Sequence, residues 1–73
     1  MRADKDPDSY WPGDIVAWEL GDGRPHIGIV VKGYGSNGWP LVVHNIGQGQ
    51  QLANVLFCWK ITGHYRYLQG QID

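Results

Sequence analysis

The chain reads as a small, mainly β domain: an antiparallel sheet of about five short strands that curls, or closes into an SH3-like barrel. Three observations predict it. Apolar, β-branched and aromatic residues gather in short runs, as in Gly13-Asp14-Ile15-Val16-Ala17-Trp18, Pro25-His26-Ile27-Gly28-Ile29-Val30-Val31 and Leu41-Val42-Val43-His44-Asn45. Glycine-rich turn signals separate these runs at intervals of roughly ten residues. No segment sustains a helical period, and Gln50 to Leu56 has room for a single helical turn at most.

The elements follow in order. Residues 1–9 alternate charge with Pro7 and Asp8 and read as a disordered tail, leaving residues 10–73 as one β domain. Trp11-Pro12-Gly13 turns the chain into a first strand over 14–19. Gly21-Asp22-Gly23-Arg24-Pro25 closes it and starts a second strand over 26–32. Gly33-Tyr34-Gly35-Ser36-Asn37-Gly38 is the strongest turn signal, with Asn37-Gly38 suited to a tight hairpin, so the second and third strands are expected to pair antiparallel. Pro40 opens the third strand, 41–46, and Gly47-Gln48-Gly49-Gln50 ends it. Asn54 to Ile61 and His64 to Leu68 read as two further strands separated at Thr62-Gly63.

At 73 residues there is room for one domain, and folding at this size buries only about 60% of the surface of the unfolded chain. An apolar content of 42%, with four tryptophans and four tyrosines, still favours a folded chain over a disordered one. The formal net charge of −1 comes from six scattered basic residues against seven acidic ones, which leaves no electrostatic footprint for nucleic acid. The apolar runs are far too short to span a membrane as a helix. A single cysteine, Cys58, permits neither an intrachain disulfide nor a cysteine zinc cluster. The first residues carry charge rather than an apolar stretch, so no signal peptide is legible and the compartment is open.

Period-two alternation assigns faces. Ile27, Ile29 and Val31 point one way and His26, Gly28 and Val30 the other; Leu41, Val43 and Asn45 oppose Val42 and His44. With Ile27, Ile29, Val31, Leu41 and Val43 as the core, His26 and His44 share the opposite face. That face is itself apolar or glycine, and such a surface calls for a cover: a missing portion of a larger domain, a partner chain or a second copy.

The strand Gly13 to Trp18, the His26-Ile27-Gly28-Ile29-Val30 motif and His44 on the next strand together resemble the β half of the NlpC-like, papain-related cysteine hydrolases. Val43-His44-Asn45-Ile46-Gly47 and Trp59-Lys60-Ile61-Thr62-Gly63-His64-Tyr65-Arg66-Tyr67 are similar to an uncharacterised bacterial branch of that group, a domain of unknown function. The likeness covers about residues 10–68. It implies an α+β fold whose β half is this chain, and amide bonds of cell-wall peptides as the substrate class. It further implies a place in the cell envelope, with His26 as general base, His44 as the residue orienting its imidazole, and Asn45 as a substitute for His44. A thiol becomes a strong nucleophile as thiolate, which a neighbouring imidazolium stabilises. In the family the nucleophilic cysteine precedes this β region, whereas here no cysteine precedes Cys58. The resemblance therefore implies a hydrolase portion inactive alone, which needs a cysteine-bearing helix from a longer parent or another chain.

Blander readings stand beside these. His64 lies in an aromatic strand and suits a structural role. The three histidines and Asp14 lack the close spacing of a zinc motif, and no metal or other cofactor is expected. Cys58, mid-strand between Phe57 and Trp59, reads as an inert core residue, with a relocated nucleophile as the alternative. Trp11, Trp18 and Trp39 serve packing, or line a groove where exposed. Gly33 to Gly38 lacks the Lys-Ser/Thr of a phosphate cradle. The competing function is a non-enzymatic β module that binds a peptide or self-associates.

Overall fold

The computed structural model describes residues 5–21, 23–45 and 49–66. These form a short 3-10 helix, Pro7–Ser9, and five strands: β1 (Ile15–Glu19), β2 (Pro25–Tyr34), β3 (Pro40–Asn45), β4 (Gln50–Ala53) and β5 (Lys60–Tyr65). All pairings are antiparallel, in one sheet of order β4-β3-β2-β1-β5. The mainly β class and the five-stranded antiparallel sheet agree with the sequence. The sheet is open rather than closed into a barrel, with β4 and β5 as its two edges.

The strand ends follow local chemistry. Gly13 adopts φ +93° in the turn before β1, where Asp14 N–H donates to the Trp11 carbonyl at 3.0 Å. The β2–β3 turn uses Gly38 at φ +84°, and Asn37 keeps an ordinary φ. Its Oδ1 instead accepts from Trp39 N–H (3.1 Å) and Asn54 Nδ2 (3.0 Å), so its value here is as an acceptor rather than as a left-handed residue.

Within the expected tail, Pro7–Ser9 form a 3-10 turn that Asp6 caps, accepting from Asp8 N–H at 3.0 Å, and two expectations change. The expected strand over Asn54 to Ile61 is absent; β4 comes earlier, at Gln50–Ala53, and Asn54 to Trp59 form a bend and turn that crosses the sheet. Thr62-Gly63 does not separate a pair of strands. It is a bulge within β5, with Ala17 facing Gly63 and Trp18 facing Ile61, so Thr62 is the extra residue. Residues 1–4, Ile46 and Tyr67 to Leu68 of the expected elements lie outside the described residues.

The faces are also exchanged. The core is built on the face that carries the histidines: Val16 and Trp18 from β1, Val30 from β2 and Val42 from β3, closed over by Tyr10 and Leu56. Val55, Phe57, Trp59 and Ile61 pack against this cluster. Trp18 Nε1 donates to the Leu56 carbonyl at 2.8 Å, tying the crossing segment to the sheet. Ile27 and Ile29, the expected core, remain 50% and 47% exposed. Period two separates two faces but carries no sign; the aromatic segment after β4 decides which one is inside.

Candidate functional site

Two histidines meet beneath the crossing segment. Trp18 pairs directly with His26 across β1 and β2, and Gly28 with His44 across β2 and β3, so His26 and His44 stand diagonally on one face. His26 Nε2 and His44 Nδ1 are 2.8 Å apart, with the rings nearly perpendicular at 81°. Gly28 lies between them in the pleat. A Cβ there stands 2.6 Å from Trp18 Cη2, so the missing side chain is the space the indole occupies. Trp18 and Trp59 each contact both rings, with centroids between 5.6 and 6.0 Å apart.

Burial divides the pair. His44 is 4% exposed, whereas His26 is half-buried and borders an open cleft of about 230 Å³ with Leu20, Arg24 and Pro25. Burial lowers the His44 pKa, and the adjacent His26 charge lowers it further. A 2.8 Å contact between two ring nitrogens needs one N–H and one lone pair, so the pair holds at most one proton above neutrality. In the tautomer in which His26 donates through Nε2, its Nδ1 is left as a basic atom and His44 holds the ring in place. Neither imidazole makes another hydrogen bond to a described residue. The arrangement can therefore accept a proton on His26 Nδ1 while the buried, neutral His44 accepts from Nε2–H.

Asn45 follows His44 at the end of β3, exposed and on the opposite face by alternation, so the structure does not bring it to the pair. Cys58 is exposed in the turn over Leu56 to Cys58, not buried in a strand. It lines a separate cavity of about 360 Å³ with Lys5, Phe57, Trp59, Lys60 and Ile61, and its thiol makes no hydrogen bond to either histidine. Trp59, the wall of the histidine pair, was not singled out by sequence. Its signal was weak, since it requires the crossing segment to lie over β1 and β2.

His64 belongs to a second cluster. Its Nε2 lies 2.6 Å from Oδ2 of Asp14, and Arg66 donates through Nε and Nη2 to both carboxylate oxygens at 2.8 Å. Trp11 N–H donates to the same Oδ2 at 3.0 Å. Arg66 also donates to the Ser9 carbonyl (3.0 Å) and lies 3.7 Å over the Trp11 ring, while Tyr10 stacks on His64 at 4.2 Å. Burial raises the Asp14 pKa, but the Arg66, His64 and Trp11 hydrogen bonds outweigh it and hold the carboxyl at about 2. Asp14 is thus an ionised anchor that pins the segment before β1 to the end of β5. Among the described residues no group of three or more His, Cys, Asp or Glu is placed to hold a metal. Among them, too, no helix is long and apolar enough to cross a membrane.

Residues 1–67 match the model of a family described as a domain of unknown function, DUF1287. Over 63 residues, 86% of this chain, the sequence is 54% identical to the uncharacterized protein YijF of Escherichia coli (strain K12). The aligned region is 31% of that relative, so the chain spans about a third of its length. No solved structure matches the chain.

Proposed function

The chain belongs to the DUF1287 family, and we propose that it is the histidine-bearing β portion of a cysteine amidase or endopeptidase that acts on cell-wall peptides. The observation that carries this reading is the 2.8 Å contact between an accessible His26 and a buried His44. His26 takes the proton of an attacking thiol at Nδ1 and returns it to the leaving amine; His44, kept uncharged by burial, orients that ring by accepting from its Nε2–H. The two indoles exclude water on one side, which strengthens the interaction between thiolate and imidazolium. The nucleophile is supplied from outside these residues, by a longer parent or another chain. Action on peptide amides and a place in the cell envelope rest on the likeness to NlpC-like hydrolases.

The test is amide hydrolysis of a cell-wall stem peptide by the full-length gene product. Hydrolysis blocked by a thiol alkylating agent and reduced about 10²–10⁴-fold by His26→Ala is the expected result. Full activity in His26→Ala refutes the reading. A peptide-binding or self-associating module is the second reading, favoured by the exposed apolar side chains of the other face. Under it, ligand-dependent stabilisation persists in His26→Ala and no hydrolysis occurs.

A further inference from the structure

The face of the sheet opposite the histidines carries an apolar row that runs through all five strands. Tyr65 pairs with Ile15, Ile15 with Ile29, Ile29 with Val43 and Val43 with Leu52, so these five side chains stand side by side from one sheet edge to the other. Their exposures are high for apolar groups: 58% at Tyr65, 47% at Ile29 and 62% at Leu52. Ile27 extends the row towards Ala17, its partner on β1. A shallow cleft of about 230 Å³ runs beside Ile27, Ile29 and Val43. The polar residues of this face, Glu19 with its partner Lys60, Asn45 and Gln50, collect at one end of the strands, and the five-residue row itself carries no charge.

A lone antiparallel sheet ordinarily turns polar side chains to water on the face its core does not use. Here both faces are apolar. The segment from Asn54 to Trp59 covers one, and nothing among the described residues covers the other. Contiguous apolar surface of this kind marks an interaction surface. The 54% identical relative supplies the candidate occupant, since about two thirds of its length lies outside the aligned region.

We infer that the Tyr65–Ile15–Ile29–Val43–Leu52 row is the seat of a second layer of the same domain, contributed by the stretch of the longer polypeptide outside these residues. The occupant is an element with an uncharged apolar face, which packs its side chains into the Ile27–Ile29–Val43 cleft and leaves its polar rim beside Asn45 and Gln50. This inference concerns the face opposite the histidines and does not depend on the hydrolase reading.

Ile29→Cys and Leu52→Cys variants of the full-length gene product test it. Maleimide modification at these positions, read by peptide mass spectrometry, is compared with native exposed Cys58 and with the denatured protein. Modification at least tenfold slower than at Cys58 in a monomeric protein, with full reactivity on denaturation, is the expected result. Modification as fast as at Cys58 overturns the inference. Protection that disappears on dilution from dimer to monomer also overturns it, and assigns the face to a second copy. The measurement reads no activity, so it succeeds or fails independently of the His26→Ala assay.

Discussion

At the residue scale, Gly28 shows how one missing side chain positions a site. The Trp18 ring lies against the β2 backbone, and its Nε1–H is held by the Leu56 carbonyl at 2.8 Å, so it has little freedom to withdraw. A methyl at position 28 meets Trp18 Cη2 at 2.6 Å and Cζ3 at 2.8 Å, with the Val43 carbonyl at 3.3 Å. Gly28→Ala is therefore expected to cost roughly 1–3 kcal/mol by overpacking and to displace the indole that walls His26 and His44. Denaturant unfolding followed by tryptophan fluorescence checks this; unchanged stability and spectrum contradict the packing. His26 and His44 were legible as a pair in the sequence because each sits on the same parity of a clearly patterned strand. Trp59 and Arg66 were not, because their partners are far away in the chain and no local period links them.

At the scale of elements, the segment from Asn54 to Trp59 does more than connect β4 to β5. It carries Leu56 into the core and Val55, Phe57 and Trp59 against its edge, closing the face that holds the histidines. Phe57 meets Tyr10 and Trp39 edge-on at 5.5 and 5.2 Å, which ties the segment to the chain before β1 and to the β2–β3 turn. Leu56→Ala is expected to destabilise the protein by about 2–5 kcal/mol, the ordinary range for a buried leucine truncated without collapse of the site. A loss well below 1 kcal/mol in thermal unfolding refutes the role given to this segment. Its apolar and aromatic content reads as a strand because β propensity reports fitness for a half-buried surface, and a crossing turn packed on a sheet meets the same requirement.

At the scale of the whole molecule, two buried groups make stability depend on pH in the same direction. His44 has a folded-state pKa below its ordinary 6.5, because of burial first and the His26 charge second. The unfolded chain therefore binds more protons just below 6.5, and stability falls as the pH drops through that window. Asp14 is held at about 2 instead of 3.8. Its stabilisation, about 2 kcal/mol by linkage, is complete above the unfolded value and disappears as the pH falls through the folded one. Urea midpoints are thus expected to decline below neutrality and again below about pH 4. Asp14→Asn is expected to lower stability at pH 7 and flatten the lower limb alone, whereas stability that rises on acidification contradicts both assignments.

The sequence by itself determined the class of the fold, the antiparallel β2–β3 pair and the partition of the strand residues into two faces. These depend on local patterns, namely β-branched alternation and glycine turns, which act over a few residues. Tertiary structure alone decided which face became the core, where the fourth strand lies, that the sheet stays open, and that Asp14 joins His64 and Arg66. Each of these depends on contacts between segments far apart in the chain. Two nearly equal apolar faces give the local pattern no means to choose; the choice falls to the aromatic segment folded across one of them.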